Sequence, residues 1–210
     1  MIRDVAVALL CLAVLIVLLV FISVVPGQAQ NISSEHKEIF CEEVDRAAAW
    51  DRSDRLAART WVESNFRTDA VSPVGAAGWS QFMPLTWQEE SARTDPSCSG
   101  VPATDPACSA RAQIRYTRML RRMVAVRSLT IQDLKAKQDI AYNGGIGNLW
   151  KEERACARRS GCDSRRWWGH VEGVCLRHPA ACRENRAYPV KINRVLRNPQ
   201  RMARLPRCEQ

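Results

Sequence analysis

Between Glu63 and Trp87 the chain reads ESNFRTDAVSPVGAAGWSQFMPLTW, which sets one carboxylate beside a run of small residues and then a Gln-Phe-Met-Pro segment. A carboxyl group acts as a general acid near neutral pH only when its surroundings raise its pKa. Glu63 has apolar neighbours for that purpose: Trp61, Val62 and Phe66 flank it, and Trp79 and Phe82 could close over it from the turn, disfavouring the charged form by desolvation. The chemistry such an acid serves is protonation of a leaving oxygen, as in the breaking of a glycosidic bond. Ser72, Gly75, Ala76 and Gly78 permit a tight, strand-like turn along which a bound glycan could lie close to backbone. Glycosidases ordinarily use two carboxyl groups about 5 to 9.5 Å apart. The nearest second acid, Asp69, has no comparable setting and reads as a solvated turn residue.

The same stretch resembles the signature of the SLT-type lytic transglycosylases, E-S-x-F, then S-x-x-G-A-x-G, then Q-x-M-P-x-T, with every position matched. Further on, IAYNGGIGNLW around Tyr142 and Asn143 resembles that family's A-Y-N-x-G motif, and ENRAYPVKINRVL from Glu184 resembles its E-x-R-x-Y element. The resemblance runs from about residue 35 to residue 198. The Cys-bearing stretches 93–108 and 151–182 look like insertions, and Trp79-Ser80-Gln81 stands where the family often has Leu-Met-Gln. It implies a mainly α-helical, lysozyme-like fold with a small β-hairpin region and no cofactor or metal. By the same resemblance Glu63 acts first as acid and then as base, while the 6-hydroxyl of N-acetylmuramic acid attacks its own C1 to leave a 1,6-anhydro end. Ser72, Gln81 and Met83 would line the cleft, Tyr142 and Asn143 would face the acetamido groups or Glu63, and Glu184 and Tyr188 would support that wall. Two rivals stand beside this reading: a goose-type lysozyme hydrolysing the same bond, and a noncatalytic wall-binding scaffold. Exported members of the family often open the wall for a conjugation, secretion or pilus apparatus, and phages use related enzymes for entry or lysis.

The chain as a whole is compatible with that setting. Its 210 residues, 46% of them hydrophobic, allow one domain with appendages. The net charge of +9 is unevenly spread: residues 31–97 hold 7 basic and 12 acidic side chains, whereas residues 98–210 hold 23 and 9. Such a field attracts anionic polymers, whether peptidoglycan, lipid headgroups or nucleic acid. From Val5 to Val25 nothing is more polar than Cys11 and Ser23, and at about 1.5 Å per helical residue this run spans a bilayer core. It is too long for the usual signal-peptide apolar region, so a retained anchor is favoured over cleavage near Gly27-Gln28-Ala29. Arg3 before it and Lys37 well after it place the catalytic part outside the cytoplasmic membrane. Export makes nucleic acid a poor partner.

Cys11 lies in the apolar run, which leaves eight cysteines for an oxidising compartment. Of the 105 possible connectivities, the short separations favour Cys98–Cys108, Cys156–Cys162 and Cys175–Cys182, leaving Cys41 for Cys208. A zinc site built on Cys175, His178 and Cys182 is the competing reading, although it would have to borrow Cys162 or His170.

The elements that must position these residues follow from periodicity and caps. After a linker, 26–34, SEHKEIFCEEVDRAAAW reads as a helix capped by Ser33 or Ser34, and LAARTWVES as the helix that carries Glu63. PLTWQEES starts a further helix at Pro84. ARAQIRYTRMLRRMVAV is amphipathic, with an arginine-bearing outer face, and TIQDLKAKQDIAYN stops at Gly144-Gly145. Residues 151–182 read as short helices and loops, the last helix as roughly Tyr188–Leu196, and 199–210 as a basic tail. Trp150, Trp167 and Trp168 are candidate flat faces for sugar rings, with core packing the blander alternative.

Overall fold

A computed structural model describes residues 32–47 and 53–208. The anchor expected at 1–25 and most of the linker lie outside these residues. No helix among the described residues is long and apolar enough to cross a membrane.

The helices are α1 (Ser34–Arg46), α2 (Ser53–Ser64), α3 (Pro84–Thr94), α4 (Pro106–Ala125), α5 (Ile131–Gly144), α6 (Ile146–Ala157), α7 (Pro179–Arg197) and α8 (Pro199–Met202), with one-turn 3₁₀ segments at Pro96–Cys98 and Val171–Gly173. Their boundaries have local causes. The Ser33 hydroxyl accepts from the His36 amide at the start of α1, and Asp105 accepts from Cys108 N at the start of α4. Thr130 and Asp133 form a reciprocal capping box on α5, which ends where Gly145 takes φ +83°. Two expectations are corrected. The β-hairpin region is reduced to isolated bridges, Val71 with Ala77 and Ala77 with Phe82. The last long helix begins at Pro179, not near Tyr188, because Pro189 is accommodated inside it. Proline lacks the amide proton for the helical ladder, so the sequence there reads as a boundary.

Residues 32–210 form one compact unit with three apolar clusters. The largest gathers Phe40 and Val44 of α1, Leu56 of α2, Ile114 of α4 and Ile192 of α7 around Phe66 and Trp79 from the loop after α2. A second joins Leu120, Ile140 and Leu149 of α4, α5 and α6 to Trp167. The third holds Phe82 and Trp87 against Cys98, Ala103 and Cys108. The stretches that looked like insertions thus supply core. Trp167 is fully buried, and its amide donates to Asp133 at 2.8 Å. The backbone of Ala103 lies so close to Gly78 that a Cβ there would stand 1.8 Å from the Ala103 carbonyl oxygen.

Four disulfides close the unit: Cys41–Cys208, Cys98–Cys108, Cys156–Cys162 and Cys175–Cys182. With both sulfurs of the last pair bonded to each other, the zinc alternative loses its thiolates. Residues 199–208 fold back onto the body, where Leu205 is buried beside Met202 and the Cys41–Cys208 bridge.

Beneath the largest cluster runs a buried ionic link. Asp139 of α5 accepts from Arg59 of α2 at 2.7 Å and also from Arg55 of α2, and no side chain of the three is more than 6% exposed. Arg59 donates further to Thr117 of α4 at 2.9 Å, and Arg55 to Asn193 of α7 at 3.2 Å. Four helices are thereby tied through two guanidinium groups and one carboxylate. Removing the anion strands two buried cations, so Asp139→Asn is expected to cost about 3–5 kcal/mol of stability, read by urea denaturation; a change below about 1 kcal/mol refutes the role.

Candidate active site

Glu63 is the penultimate residue of α2. The helix stops immediately after it because Asn65 and Phe66 adopt positive φ, 56° and 59°, a conformation that costs a residue bearing Cβ about 1–2 kcal/mol. The packing of Phe66 edge-on against Phe40 and Trp79 holds it there. Ser64 donates its hydroxyl to the Trp79 carbonyl at 2.9 Å, which pins the following loop to the helix end.

That loop forms one wall. The Ser72 amide donates to the Ala76 carbonyl at 2.8 Å, and the Ser72 hydroxyl accepts from the Ala76 amide at 2.9 Å, closing a tight turn. Gln81 sits at φ +48°, and its amide nitrogen donates to the carbonyls of Ala70 and Gly78 at 3.1 and 2.9 Å. It therefore braces the loop while lining the cleft. Met83, 44% exposed, stands on the rim.

The opposite wall comes from α5 and α7. Glu184, Tyr188 and Lys191 recur along α7 at helical spacing. The Tyr188 hydroxyl donates to Glu63 Oε1, and the Tyr188 ring stacks parallel to Tyr142, with centroids 6.4 Å apart. The Tyr142 hydroxyl instead donates to the Ser80 carbonyl at 2.9 Å, so the phenol that meets Glu63 is that of Tyr188. Asn143 accepts from Asn185 at 2.9 Å, and Asn185 in turn accepts from Arg177 at 2.8 Å. A Cβ at Gly144 would collide with both partners of that link.

Two cavities meet at Glu63. One, of about 320 Å³, is walled by Gln81, Phe82, Met83, Tyr116, Tyr142 and Asn143; the other, of about 340 Å³, by Ser72, Val74, Gln81, Met83, Asn143, Glu184, Tyr188 and Lys191. Glu63, Gln81, Met83 and Asn143 line both, which makes them halves of one cleft. All eight candidates named from sequence are brought to it. Trp79 is not a cover for Glu63, because it belongs to the main core and is 1% exposed; Phe82 does line the cavity at Glu63. Asp69 is exposed and lines neither cavity. Missed from sequence were Tyr116, Thr86 and Lys191 on the walls and Arg59 beneath them. Helical spacing from Glu184 could have found Lys191, and the step of four residues from Glu63 could have found Arg59.

Burial raises the pKa of Glu63 from near 4.5 to about 7. The Tyr188 hydrogen bond and the positive charges of Arg59 and Lys191 oppose that rise, and Glu184 reinforces it. Its place at a helix C-terminus, where carbonyl dipoles converge, works in the same direction as burial. Burial also pushes the phenols of Tyr142 and Tyr188 well above their ordinary range, so both stay neutral. The Arg59 guanidinium lies over the Tyr142 ring at 5.0 Å.

The helices and staples make a mainly helical domain that fits a lysozyme-like fold, with one half-buried acid where its two cavities meet. The transglycosylase SLT domain model matches residues 51–161, more than half of the chain. The chain belongs to that family, whose members are lytic transglycosylases acting on peptidoglycan. The α7 wall of the cleft, with Glu184, Tyr188 and Lys191, lies beyond the matched span. No curated protein matches the sequence.

An acid whose folded pKa is raised stabilises the fold fully below its unfolded pKa, and that contribution is lost as pH rises through the folded value. For Glu63 the window is about pH 4.5 to about 7, with a loss on the order of 3 kcal/mol. Glu63→Gln removes the titration and is expected to flatten stability across this window, so that the variant gains on the native protein at pH 8 relative to pH 4.5. Parallel denaturation curves at the two pH values check this, and identical pH dependence in both proteins counts against the burial.

Proposed function

We propose that this protein is a peptidoglycan lytic transglycosylase cleaving the β-1,4 bond between N-acetylmuramic acid and N-acetylglucosamine, with Glu63 as its catalytic acid and base. The observation that carries the reading is a single carboxyl group, held at a pKa of about 7 by burial, at the meeting point of two cavities.

With a pKa near neutrality, Glu63 is protonated in a substantial fraction of molecules and can still accept a proton once it has given one up. It protonates the glycosidic oxygen as the bond to C1 of the muramyl residue breaks. The resulting carboxylate then takes the proton of that residue's 6-hydroxyl, whose oxygen closes on C1. One bond is lost and one is made, no water enters, and Glu63 ends protonated as it began. Because the nucleophile belongs to the substrate, orientation stands in for a second catalytic group. Asp69 is exposed and lines neither cavity, and Glu184 is exposed at the rim, so neither resembles the paired acid of a hydrolase. Tyr188 holds Glu63 in place, since its hydroxyl donates to the carboxylate that forms. Ser72, Gln81, Met83, Tyr142, Asn143 and Glu184 shape the subsites on either side.

The biological setting we infer is local opening of the wall for a transenvelope apparatus or during phage entry or lysis. The apolar run Val5–Val25 would serve as the membrane anchor and the domain would work in an oxidising compartment, a placement supported by the four disulfides.

Glu63→Gln is expected to lower wall-clearing activity by about 10²–10⁴-fold, while the digest made by the native protein carries anhydromuramyl ends one water lighter than hydrolysis products. Full activity in the variant removes Glu63 from the mechanism, and reducing ends in the native digest indicate a hydrolase. Tyr188→Phe removes a bond that favours the charged carboxylate, so the alkaline limb of the pH–rate profile should move to higher pH; a shift the other way contradicts the assigned hydrogen bond.

A further inference from the structure

The face of α7 that meets the cleft carries Glu184, Tyr188 and Lys191. A second stripe on the same helix, Val190, Asn193, Arg194 and Arg197, follows the i, i+3, i+4, i+7 pattern roughly a third of a turn around the axis. With Trp168 from the loop after α6, and Asn198 at the helix end, this stripe lines an open groove of about 680 Å³. None of its lining residues lines the cleft.

The groove has a distinctive chemistry. Trp168 and Val190 are 38% and 42% exposed in a protein that buries Trp167 completely. Arg194 and Arg197 make no hydrogen bond or ion pair among the described residues, and no carboxylate lines the groove. Asn193 already uses its carbonyl oxygen to accept from Arg55 at 3.2 Å, and Asn198 uses its own to accept from the Arg201 amide at 3.0 Å. Each amide oxygen is thus already engaged within the protein, while both amide N–H groups are left without a partner among the described residues. The indole likewise has only a donor. The polar side-chain groups left without any partner in the groove are therefore donors or cations beside an aromatic face, which favours a ligand rich in acceptors and negative charge that also has an apolar ring face. Sugar rings stack on indole through their C–H faces, and guanidinium groups pair with carboxylates through paired N–H bonds.

We propose that this groove is a second, noncatalytic site for anionic glycan, holding a peptidoglycan strand through sugar rings on Trp168 and stem-peptide carboxylates on Arg194 and Arg197. The choice of polymer rests on the function proposed above; the need for an acceptor-rich, anionic saccharide rests on the groove itself. Because the groove lies on a different face from the cleft, a strand held there is a neighbour of the strand being cut or a distant part of it. Its effect is to raise the local concentration of wall at the cleft.

Binding can be separated from cleavage by working in the Glu63→Gln protein, using residues 32–210, which contain all three core clusters and all four disulfides. Co-sedimentation with purified sacculi is expected to weaken about tenfold on Trp168→Ala and on Arg194→Gln with Arg197→Gln, to survive Trp168→Phe, and to lose part of its salt dependence only in the arginine variant. With Glu63 intact, the same groove variants should clear sacculi more slowly yet cut short soluble muropeptide oligomers at the native rate. Unchanged sacculus binding in both groove variants overturns the proposal, as does equal loss on short substrates, which would mark a folding defect. Competition by phosphatidylglycerol vesicles as strong as that by soluble glycan overturns it in favour of a lipid-headgroup site. Failure of Glu63→Gln to reduce clearing would sink the catalytic reading while leaving these binding measurements interpretable.

Discussion

The contact between Asp139 and the two arginines of α2 is the constraint on which the cleft depends. Arg59 is one helical turn from Glu63, and Asp139 is one turn from Tyr142 and Asn143. Joining the two charged groups therefore fixes the distance between the helix that bears the acid and the helix that bears the facing wall. A buried guanidinium demands its carboxylate more strictly than an apolar contact demands its neighbour, because sliding by one residue would strand the charge. The link also sets the electrostatics above it. Two cations and one anion leave a positive balance under Glu63 and Tyr142, which restrains the rise in the acid's pKa that burial alone would produce.

A second layer of control comes from the cysteine-bearing stretches. Residues 93–108 support the glycine-rich loop from behind, with Ala103 backbone pressed against Gly78, and the Cys98–Cys108 bridge holds that support in place. Residues 151–182 bury Trp167 between α4, α5 and α6, and Arg177 at their far end reaches Asn185 and so Asn143. Tyr116 and Tyr142 touch more than one apolar cluster, so the clusters converge at the cleft. The cleft is shaped from below and behind.

Much of this was legible in the sequence where the cause is local. The cap at Ser33, the glycine stop at Gly144-Gly145 and the acid with its small-residue loop are set by neighbours a few positions away; the cap at Asp105, which starts α4 four residues ahead of the amphipathic run, went unread because Pro, Ser and Asp there have the composition of a loop. The disulfide pairs followed from short separations, apart from Cys41–Cys208, which was the remainder. What sequence could not place depends on partners far along the chain. Trp79 has the composition of a cover for Glu63, but the hydrogen bond from Ser64 to its carbonyl and the rings of Phe66 and His36 turn it inward. The resemblance put Tyr142 against the acetamido groups or Glu63 and Tyr188 in the supporting wall, whereas the Tyr142 hydroxyl is taken by the Ser80 carbonyl and it is Tyr188 that donates to the acid. Arg59 and Asp139 sit in helices rich in other charged and polar residues, and nothing in the sequence marks them as buried until the two helices are brought together. Pro189 disguised the length of α7, and with it the continuity between the motif around Glu184 and the helix beyond.

The bond between Cys41 and Cys208 brings those two positions to a Cα separation of 5.0 Å. Tension applied between chain upstream of Cys41 and chain downstream of Cys208 passes across that sulfur–sulfur link, and the helices enclosed by it carry none of the load. The stretch between the two cysteines, which holds Glu63 and every residue lining its cleft, is bypassed by such a pull, so the groove is mechanically insulated from whatever the domain is tethered to.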